Sequence, residues 1–515
     1  MRRCLSLFIV IFIFTHLYGC AINPVTGRRE LSLVSESGEI KIGEENYLFS
    51  RQAQGGRYIV APELTAYVNA VGQRIARVSD RPHLPYEFVV LNNSVPNAWA
   101  LPGGKIAVNR GLLLELNNEA ELAAVLAHEI VHAAARHGAK SIERGLVLQT
   151  GIIGVGLATS DSRSGNIAVG AASIGAALIN RRYSRSAELE ADHFGMKYMS
   201  SAGYNPEAAI ALQKTFVRLS KKKSANWLSG LFATHPPSQE RVDTNVATAA
   251  DLPQGGRVGD KEYQSKIGGL KKTRVAYEAH DKGRTSLGKG MMAKALHSAD
   301  RAIAGEPREA LFFGLKGDTR AKQRRYREAL SDYDEAIKRN NGFFQLFLQR
   351  GLVKEKLGDL QGAREDLRKS NSLYPTAHAY NSLGNIALAY GEKKRAIEHF
   401  RMGASSNSDI SRRARESLAR LELPDRPERY LDLYLKRDKR GDIIVTVDNR
   451  SPVTVRGIVI AVRHYNNQGR MIGRDTVYFR RAIEPGRRSS KATHIGPLWM
   501  IPDIRLEIVD VKVAE

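Results

Sequence analysis

Gly283, Gly317, Gly351 and Gly384 recur at intervals of 34, 34 and 33 residues, and Ala295, Ala329, Ala363 and Ala396 keep the same spacing. A fixed period of this length marks a repeated supersecondary unit. Small residues at fixed positions let two helices approach closely, and each helix pair buries its apolar face only by stacking on the next. Pro307 and Pro375 close two of the units. The pattern predicts four helical repeats over 276–408 and a capping helix to Leu421. At 515 residues the chain is too long for one core, so further domains must flank this solenoid.

The segments GLKGDTRAKQRRYREALSDYDEAI and SLGNIALAYGEKKRAIEHF resemble tetratricopeptide repeats, which implies a groove that binds peptide or protein. Within them RAKQRRYR (320–327) reads most simply as a solvated helix face, with a contact for acidic partners as the other reading. Beyond the repeats, DIIVTVDNRS, VRGIVIAVRHYN and DIRLEIVDVKV alternate with period two. Turns at Asn466-Asn467 and Glu484-Pro485-Gly486 complete the picture of a small β-sandwich over 428–515. No catalytic constellation is visible in it. The fold class expected is multidomain and mainly α.

The chain starts MRRCLSLFIVIFIFTHLYGC. Arg2 and Arg3 form a basic segment, Leu5 to Phe14 an apolar one that is short for a transmembrane helix, and Leu17-Tyr18-Gly19-Cys20 resembles a bacterial lipobox. The alternative is an uncleaved anchor. The only two cysteines are Cys4, inside the segment to be removed, and Cys20, its acylation site, so the mature chain keeps no thiol for a disulfide or a Cys-ligated metal. Residue 21 is Ala rather than Asp, which points to the outer membrane, facing the periplasm. Residues 1–19 are then a signal peptide, and 20–60 a lipidated tether ending in a short helix. The formal charge of +24 favours acidic surfaces. An exported address argues against nucleic acid and for anionic envelope surfaces.

Residues 61–250 carry the chemistry. PELTAYVNAVGQRIARVSD places Leu64, Val68, Val71, Ile75 and Val78 on one helical face, YEFVVLN (86–92) is strand-like, and NAWALPGGKIAVN (97–109) reads as a hairpin. Asn118 can cap a helix running to His137, with Glu121 in a capping-box position and Gly138 as the terminating glycine. Residues 145–180 are Gly- and Ala-rich, either two close-packed buried helices or a hydrophobic hairpin that touches membrane or a membrane-protein client. A second helix runs through SAELEADHFGMKYMSSAG, THPPSQER (234–241) is a loop leading into a final helix, and 251–275 reads as a linker.

His128 and His132 in AVLAHEIVHAAARHG stand four apart on the first helix, close enough to ligate one metal ion. Glu129 is turned to the side of that face, where it can take a proton from a water the metal has acidified. A catalytic zinc needs a third protein ligand. Glu188 can supply it, while Asp192, one turn on, hydrogen-bonds a ligand histidine and fixes its ring. Glu190 is the competing ligand, on a different face from Asp192.

H-E-x-x-H, then E-x-x-A-D (Glu188 to Asp192) preceded by Arg185, then T-H-P-P with an arginine six residues after its histidine, resemble one family. It is the zinc metallopeptidases that include HtpX, the CaaX prenyl proteases and the BepA-type periplasmic proteases. NPVTGRRELSLVSE, just after Cys20, resembles its secreted lipoprotein members. The resemblance covers about 23–250, and repeats after the protease match the BepA type; the C-terminal sandwich lies outside it. It implies a gluzincin-type α+β domain and one Zn²⁺ per chain. It also implies roles for His235, in stabilising the oxyanion or closing the fourth metal position, and for Arg241 in supporting it. The hairpin would offer Ala98, Trp99 and Ala100 as an edge strand for extended substrate, or serve only the core. The expected activity is zinc endopeptidase on unfolded or misassembled envelope proteins recruited by the repeats, with the outer-membrane assembly machinery as a further expected partner. The alternative is a chaperone or assembly factor with gated proteolysis.

Overall fold

The structure is a computed structural model that describes residues 20–149, 179, 182–221, 229–466, 468–495 and 503–514. It begins with β1 (Cys20–Ile22), β2 (Arg29–Leu31), α1 (Glu36–Ala53), α2 (Pro62–Ala76), β3 (Glu87–Leu91), β4 (Ala98–Leu101), β5 (Lys105–Asn109) and α3 (Arg110–Leu113). Then come α4 (Glu119–Ala134), α5 (His137–Gln149), α6 (Arg185–Ser201), α7 (Glu207–Lys221), α8 (Ser229–Thr234), α9 (Gln239–Ala250) and the long α10 (Asp260–Gly288). The repeats supply α11 (Met292–Gly305), α12 (Ala310–Lys322), α13 (Tyr326–Arg339), α14 (Phe344–Leu357), α15 (Leu360–Leu373), α16 (Ala377–Ala389) and α17 (Lys393–Gly403), followed by α18 (Asp409–Glu422). Six strands close the chain: β6 (Leu431–Arg437), β7 (Ile443–Asn449), β8 (Val455–Tyr465), β9 (Met471–Phe479), β10 (Arg488–Ala492) and β11 (Asp503–Val513). The chain divides into two compact units, Met1–Leu357 with Ser372–Tyr374, and Gly358–Asn371 with Pro375–Glu515.

In the first unit a three-stranded sheet has the order β3-β5-β4. β3 runs parallel to β5, and β4 pairs antiparallel with β5 from Ala98↔Val108 to Leu101↔Lys105, so 98–109 is a hairpin. α4 packs beside it, and its Ala123, Ala127, Ala133 and Ala134 sit in the same apolar cluster as Val68, Ile75, Phe88 and Ile106. The alanines let neighbouring elements approach the helix axis, which larger side chains would hold off. Asn118 caps α4 by accepting from the Glu121 N–H. The Glu121 carboxylate reaches back to the N–H of Asn117, one residue before the cap.

The end of α4 differs from expectation. The helix stops at Ala134, not His137, and Gly138 lies inside α5. Arg136 takes the turn instead, with φ of 63°. A side chain in the left-handed region is disfavoured. Here the guanidinium offsets that cost with hydrogen bonds to Glu39, Ser32 and the Val34 carbonyl. Gly138 serves close packing, since a Cβ there would stand 3.1 Å from Pro102.

Those partners of Arg136 lie in the segment read as a tether, which is folded. β1 and β2 form a hairpin with Cys20 opposite Leu31, and Asn23 and Val25 are buried. α1, capped by Ser35, is 18 residues long, and its Glu39 is fully buried beside Arg81. A row of mixed polar residues gave no apolar stripe, because this helix is held by buried ion pairs rather than by an apolar face.

The linker expected at 251–275 is also largely helix. α10 starts at Asp260, and Tyr263, Ile267 and Leu270 enter the same core as α4. The Tyr263 hydroxyl donates to the Leu113 carbonyl at 2.6 Å. Spacings of four and three residues carried that signal, and the many lysines around them hid it. Residues 150–178 of the Gly/Ala-rich stretch lie outside the described residues, as do 1–19. No described helix is long and apolar enough to cross a membrane.

The repeat glycines have a physical reason. A Cβ on Gly317 would meet the Tyr333 ring at 2.8 Å, and one on Gly384 would meet the Phe400 ring at 2.5 Å. In these two repeats the glycine makes room for an aromatic ring 16 residues later, whereas a Cβ on Gly283 would meet Leu315 at 2.6 Å. Within RAKQRRYR, Arg320 binds both oxygens of Asp332 at 2.9 Å, and Arg325 pairs with Glu328.

In the second unit the strands form two antiparallel three-stranded sheets, β10-β7-β6 and β11-β8-β9. Val445 and Val447 from one and Ile458, Ile460 and Phe479 from the other share an apolar cluster. Ala419 of α18 and the following Leu423 join it, so the last helix belongs to the core of the strands.

Candidate metal centre

α4 and α6 cross at a glycine. A Cβ on Gly195 would stand 3.3 Å from the backbone nitrogen of His128. This closeness sets the turns of α6 that precede Gly195 against the histidine face of α4. Ser184 caps α6 by accepting from the Ala187 N–H, and Ser238 caps α9 by accepting from the Arg241 N–H. Arg185, on the first turn of α6, pairs with Glu240 on the first turn of α9 at 2.6 Å, which ties the two helix starts together.

The crossing brings Glu188 to the two histidines of α4, and the loop before α9 adds His235. One ligand atom from each of His128, His132, Glu188 and His235 lies within 4.8 Å of all the others, and all four residues are buried. His132 Nε2 is 3.0 Å from His128 Nε2, and each lies 3.5 Å from a Glu188 oxygen. His235 Nδ1 is 3.1 Å from Glu188 Oε1 and 3.3 Å from His128 Nε2. Behind them, His128 Nδ1 meets Asp192 Oδ1 at 2.9 Å, and Arg241 grips Asp192 through Nε at 2.6 Å and Nη2 at 2.7 Å. Arg241 Nη1 also lies 3.0 Å from Glu188.

The donor set fits a divalent cation. Three buried carboxylates, Glu129, Glu188 and Asp192, face a single buried guanidinium, Arg241. With the imidazoles neutral, as metal ligation requires, the surplus is two negative charges, which one such ion would balance, and mixed imidazole and carboxylate donors suit zinc-like metals. Burial alone would raise the Glu188 carboxyl, but the surrounding His235, His128 and His132 outweigh it and hold Glu188 well below its ordinary value. Burial disfavours a charge on His128, yet Asp192 and Glu188 push it up to about 10. On His132 burial prevails over the Glu188 contact and, with neighbouring His128 and His137, depresses the imidazole.

Glu129 is not in the donor cluster. It sits beside it, 2% exposed, with Oε1 3.6 Å from His235 Nε2 and Oε2 without a hydrogen-bond partner. Burial raises its carboxyl above the ordinary range, against the pull of His235 and His128. It faces a partly open cavity whose apolar wall includes Ala124, Val125, Leu212 and Phe216.

Glu190, the competing ligand, points elsewhere: its Oε1 is 3.1 Å from His137 Nε2. His137 in turn places Nδ1 2.7 Å from Nδ1 of His132, and the Tyr183 ring stacks on His132 at 3.9 Å between centroids. Sequence reading missed His137 and Tyr183 as supports of a ligand; His137 follows His132 by five residues, a spacing that only the left-handed turn at Arg136 makes useful. Ala98, Trp99 and Ala100 lie on β4, at an edge of the sheet, with buried side chains, and do not line the cavity beside Glu129. Cys20 opens β1.

Residues 62–248 match the profile of Peptidase family M48. The "Mitochondrial metalloendopeptidase OMA1" of Schizosaccharomyces pombe is 34% identical over 234 residues, 45% of this chain and 66% of that protein. The "Putative beta-barrel assembly-enhancing protease" of Vibrio cholerae is 31% identical over 198 residues, 37% of this chain and 40% of that one. The "Beta-barrel assembly-enhancing protease" of Escherichia coli K12 is 28% identical over 227 residues, 42% and 45% of the two chains. The chain thus spans 40 to 66% of the length of these curated relatives. Among solved structures, the Arabidopsis OM64 TPR domain aligns with 23% of this chain and 98% of its own length, at 18% identity and a TM-score of 0.23. The region that builds the donor cluster, residues 62–248, is a metallopeptidase domain of Peptidase family M48.

Proposed function

We propose that this protein is a zinc endopeptidase of gluzincin type. The observation that carries the reading is the buried cluster of four ligand atoms with its surplus of two negative charges. His128, His132 and Glu188 would hold the zinc, and Asp192 would orient His128. A bound zinc supplies a Lewis acid that polarises the scissile carbonyl and acidifies water. Glu129, buried and turned toward the cavity, takes the proton and returns it to the leaving amine. Arg241 holds Asp192 and faces Glu188, so it keeps both carboxylates ionised and in place. His235 is positioned to donate to a developing oxyanion from the side of Glu129. β4, at the edge of its sheet, is the strand to which extended substrate would add through Ala98, Trp99 and Ala100.

The clients are unfolded or misassembled envelope proteins, as the assembly-enhancing relatives suggest, and the tetratricopeptide repeats recruit them. The β-rich C-terminal part is a small β-sandwich. The N-terminal motif supports a lipid anchor at Cys20 in the periplasm, on the outer membrane. Purified protein should hold one zinc per chain, and Glu129→Gln should keep the metal and lose cleavage of an unfolded client. Metal-free protein, or equal cleavage by Glu129→Gln, sinks the enzymatic reading. For the address, Cys20→Ala should leave the membrane fraction; retention there contradicts a lipid-only tether.

A second reading has its own support. His235 Nδ1 lies on the donor cluster itself, 3.1 Å from Glu188 Oε1 and 3.3 Å from His128 Nε2, where it would compete with a substrate oxygen or water for a bound ion. In that role it plugs the centre, and the protein acts mainly as a chaperone or assembly factor with gated proteolysis. His235→Ala decides between them: faster cleavage marks a plug, slower cleavage an oxyanion donor.

A further inference from the structure

The cavity beside Glu129 holds two amide side chains that the mechanism leaves unused. Gln213 on α7 is 6% exposed and Asn245 on α9 is 1% exposed, and both line the cavity. Gln213 Oε1, Asn245 Oδ1 and Asn245 Nδ2 all lack a hydrogen-bond partner. A buried polar atom left unpaired costs about 1–3 kcal/mol, so three around one cavity call for a ligand. The assignment of the Asn245 amide does not matter, because both of its terminal atoms are unpartnered.

The three atoms are two acceptor oxygens and one donor nitrogen. Their complement is a group with two N–H donors and one acceptor. A backbone peptide group has one donor, a carboxylate has none, and an ammonium or guanidinium has no acceptor. A primary carboxamide has what is required. The wall of Ala124, Val125, Leu212 and Phe216 suits the methylene stem that carries it. Val125 lies one helical turn before Glu129, and Asn245 one turn after Arg241, so an occupant of the cavity sits next to the bond being cut.

We propose that this cavity is a specificity pocket for an asparagine or glutamine side chain flanking the scissile bond, read by Gln213 and Asn245. The proposal rests on the peptidase reading. A site built to hydrogen-bond a polar group discriminates strongly against an apolar isostere, because its own buried groups are then stranded.

The test uses the full-length, zinc-loaded protein and a randomised decapeptide pool, with cut sites read by mass spectrometry. Asn or Gln should be enriched at one position beside the cut, with kcat/KM at least tenfold above the Leu or Met counterpart. Asn245→Leu, and independently Gln213→Met, should level or reverse that ratio while still cutting the Leu peptide. Asn245→Asp, which keeps the shape and removes the donor, should lower the ratio as well. A flat preference in the wild type, a ratio unchanged in these variants, or an equal loss for both peptides, which marks a backbone contact, overturns the proposal. Binding of the same peptides to zinc-loaded Glu129→Gln protein separates the two ideas. No cleavage by wild type, with binding that still discriminates through Asn245, sinks the peptidase and keeps the pocket. Cleavage without discrimination does the reverse.

Discussion

Two buried charge networks lie in the first unit, and they are balanced differently. Near the N-terminus, Glu39 and Glu143 are matched by Arg81 and Arg136: Arg81 is 2.9 Å from Glu39, and Arg136 binds Glu39 and faces Glu143. Glu143 also accepts the N–H groups of Leu33 and Val34 at 2.9 Å. The buried charges close on themselves. Around His128 three carboxylates share one arginine, and the remaining partners are imidazoles. A closed network holds a segment in place, whereas an unbalanced one in the same core makes room for an ion.

The difference can be broken in order of effect. Arg81→Met leaves Glu39 and Glu143 to share Arg136 in the closed network, one buried carboxylate in excess, and should cost about 3–5 kcal/mol, read by denaturant unfolding. Its zinc stoichiometry should be unchanged; a lost ion would mean that the two networks are coupled. Stripping the ion from the wild type should lower stability by about 4 kcal/mol relative to zinc at 1,000 times its Kd, with Tm rising again on readdition. Arg81→Met should show the same zinc-dependent gain, and His132→Ala should show almost none. Gly195→Ala pushes α6 from α4 and should weaken zinc about tenfold, a change of about 1.4 kcal/mol, read by competition with a chelating dye. Asn118→Ala removes only a cap and should cost about 1 kcal/mol without changing zinc affinity. An effect of that cap on the ion would show that the start of α4 also sets the donors.

Much of this was legible because it is local or periodic. The 34-residue spacing of glycines and alanines, the cap at Asn118, and the four-residue spacing of His128/His132 and of Glu188/Asp192 are patterns along the chain. The structure brings those four residues together with His235 and Arg241. What was not legible depends on distant partners. Arg136 takes a left-handed turn only because Glu39, Ser32 and Val34 receive its side chain, so a helix end read from Gly138 fell in the wrong place. α1 lacks an apolar stripe because ion pairs hold it. Gln213 and Asn245 look like ordinary helix residues; that they are buried and unpartnered is a property of three helices at once.

The turn at Arg136 also bears on mechanics. The hairpin that begins at Cys20 is bound to the protein through Asn23 at the Ala135 carbonyl and through Ser32 and Val34 at Arg136. Those attachments stand three and four residues past His132, on the same stretch of backbone. A pull on the N-terminal end is therefore shared, after the hairpin, between the end of the helix that carries both donor histidines and the contacts that Lys140 and Glu143 of α5 make with the same segment, so part of that tension acts on the spacing of the donors.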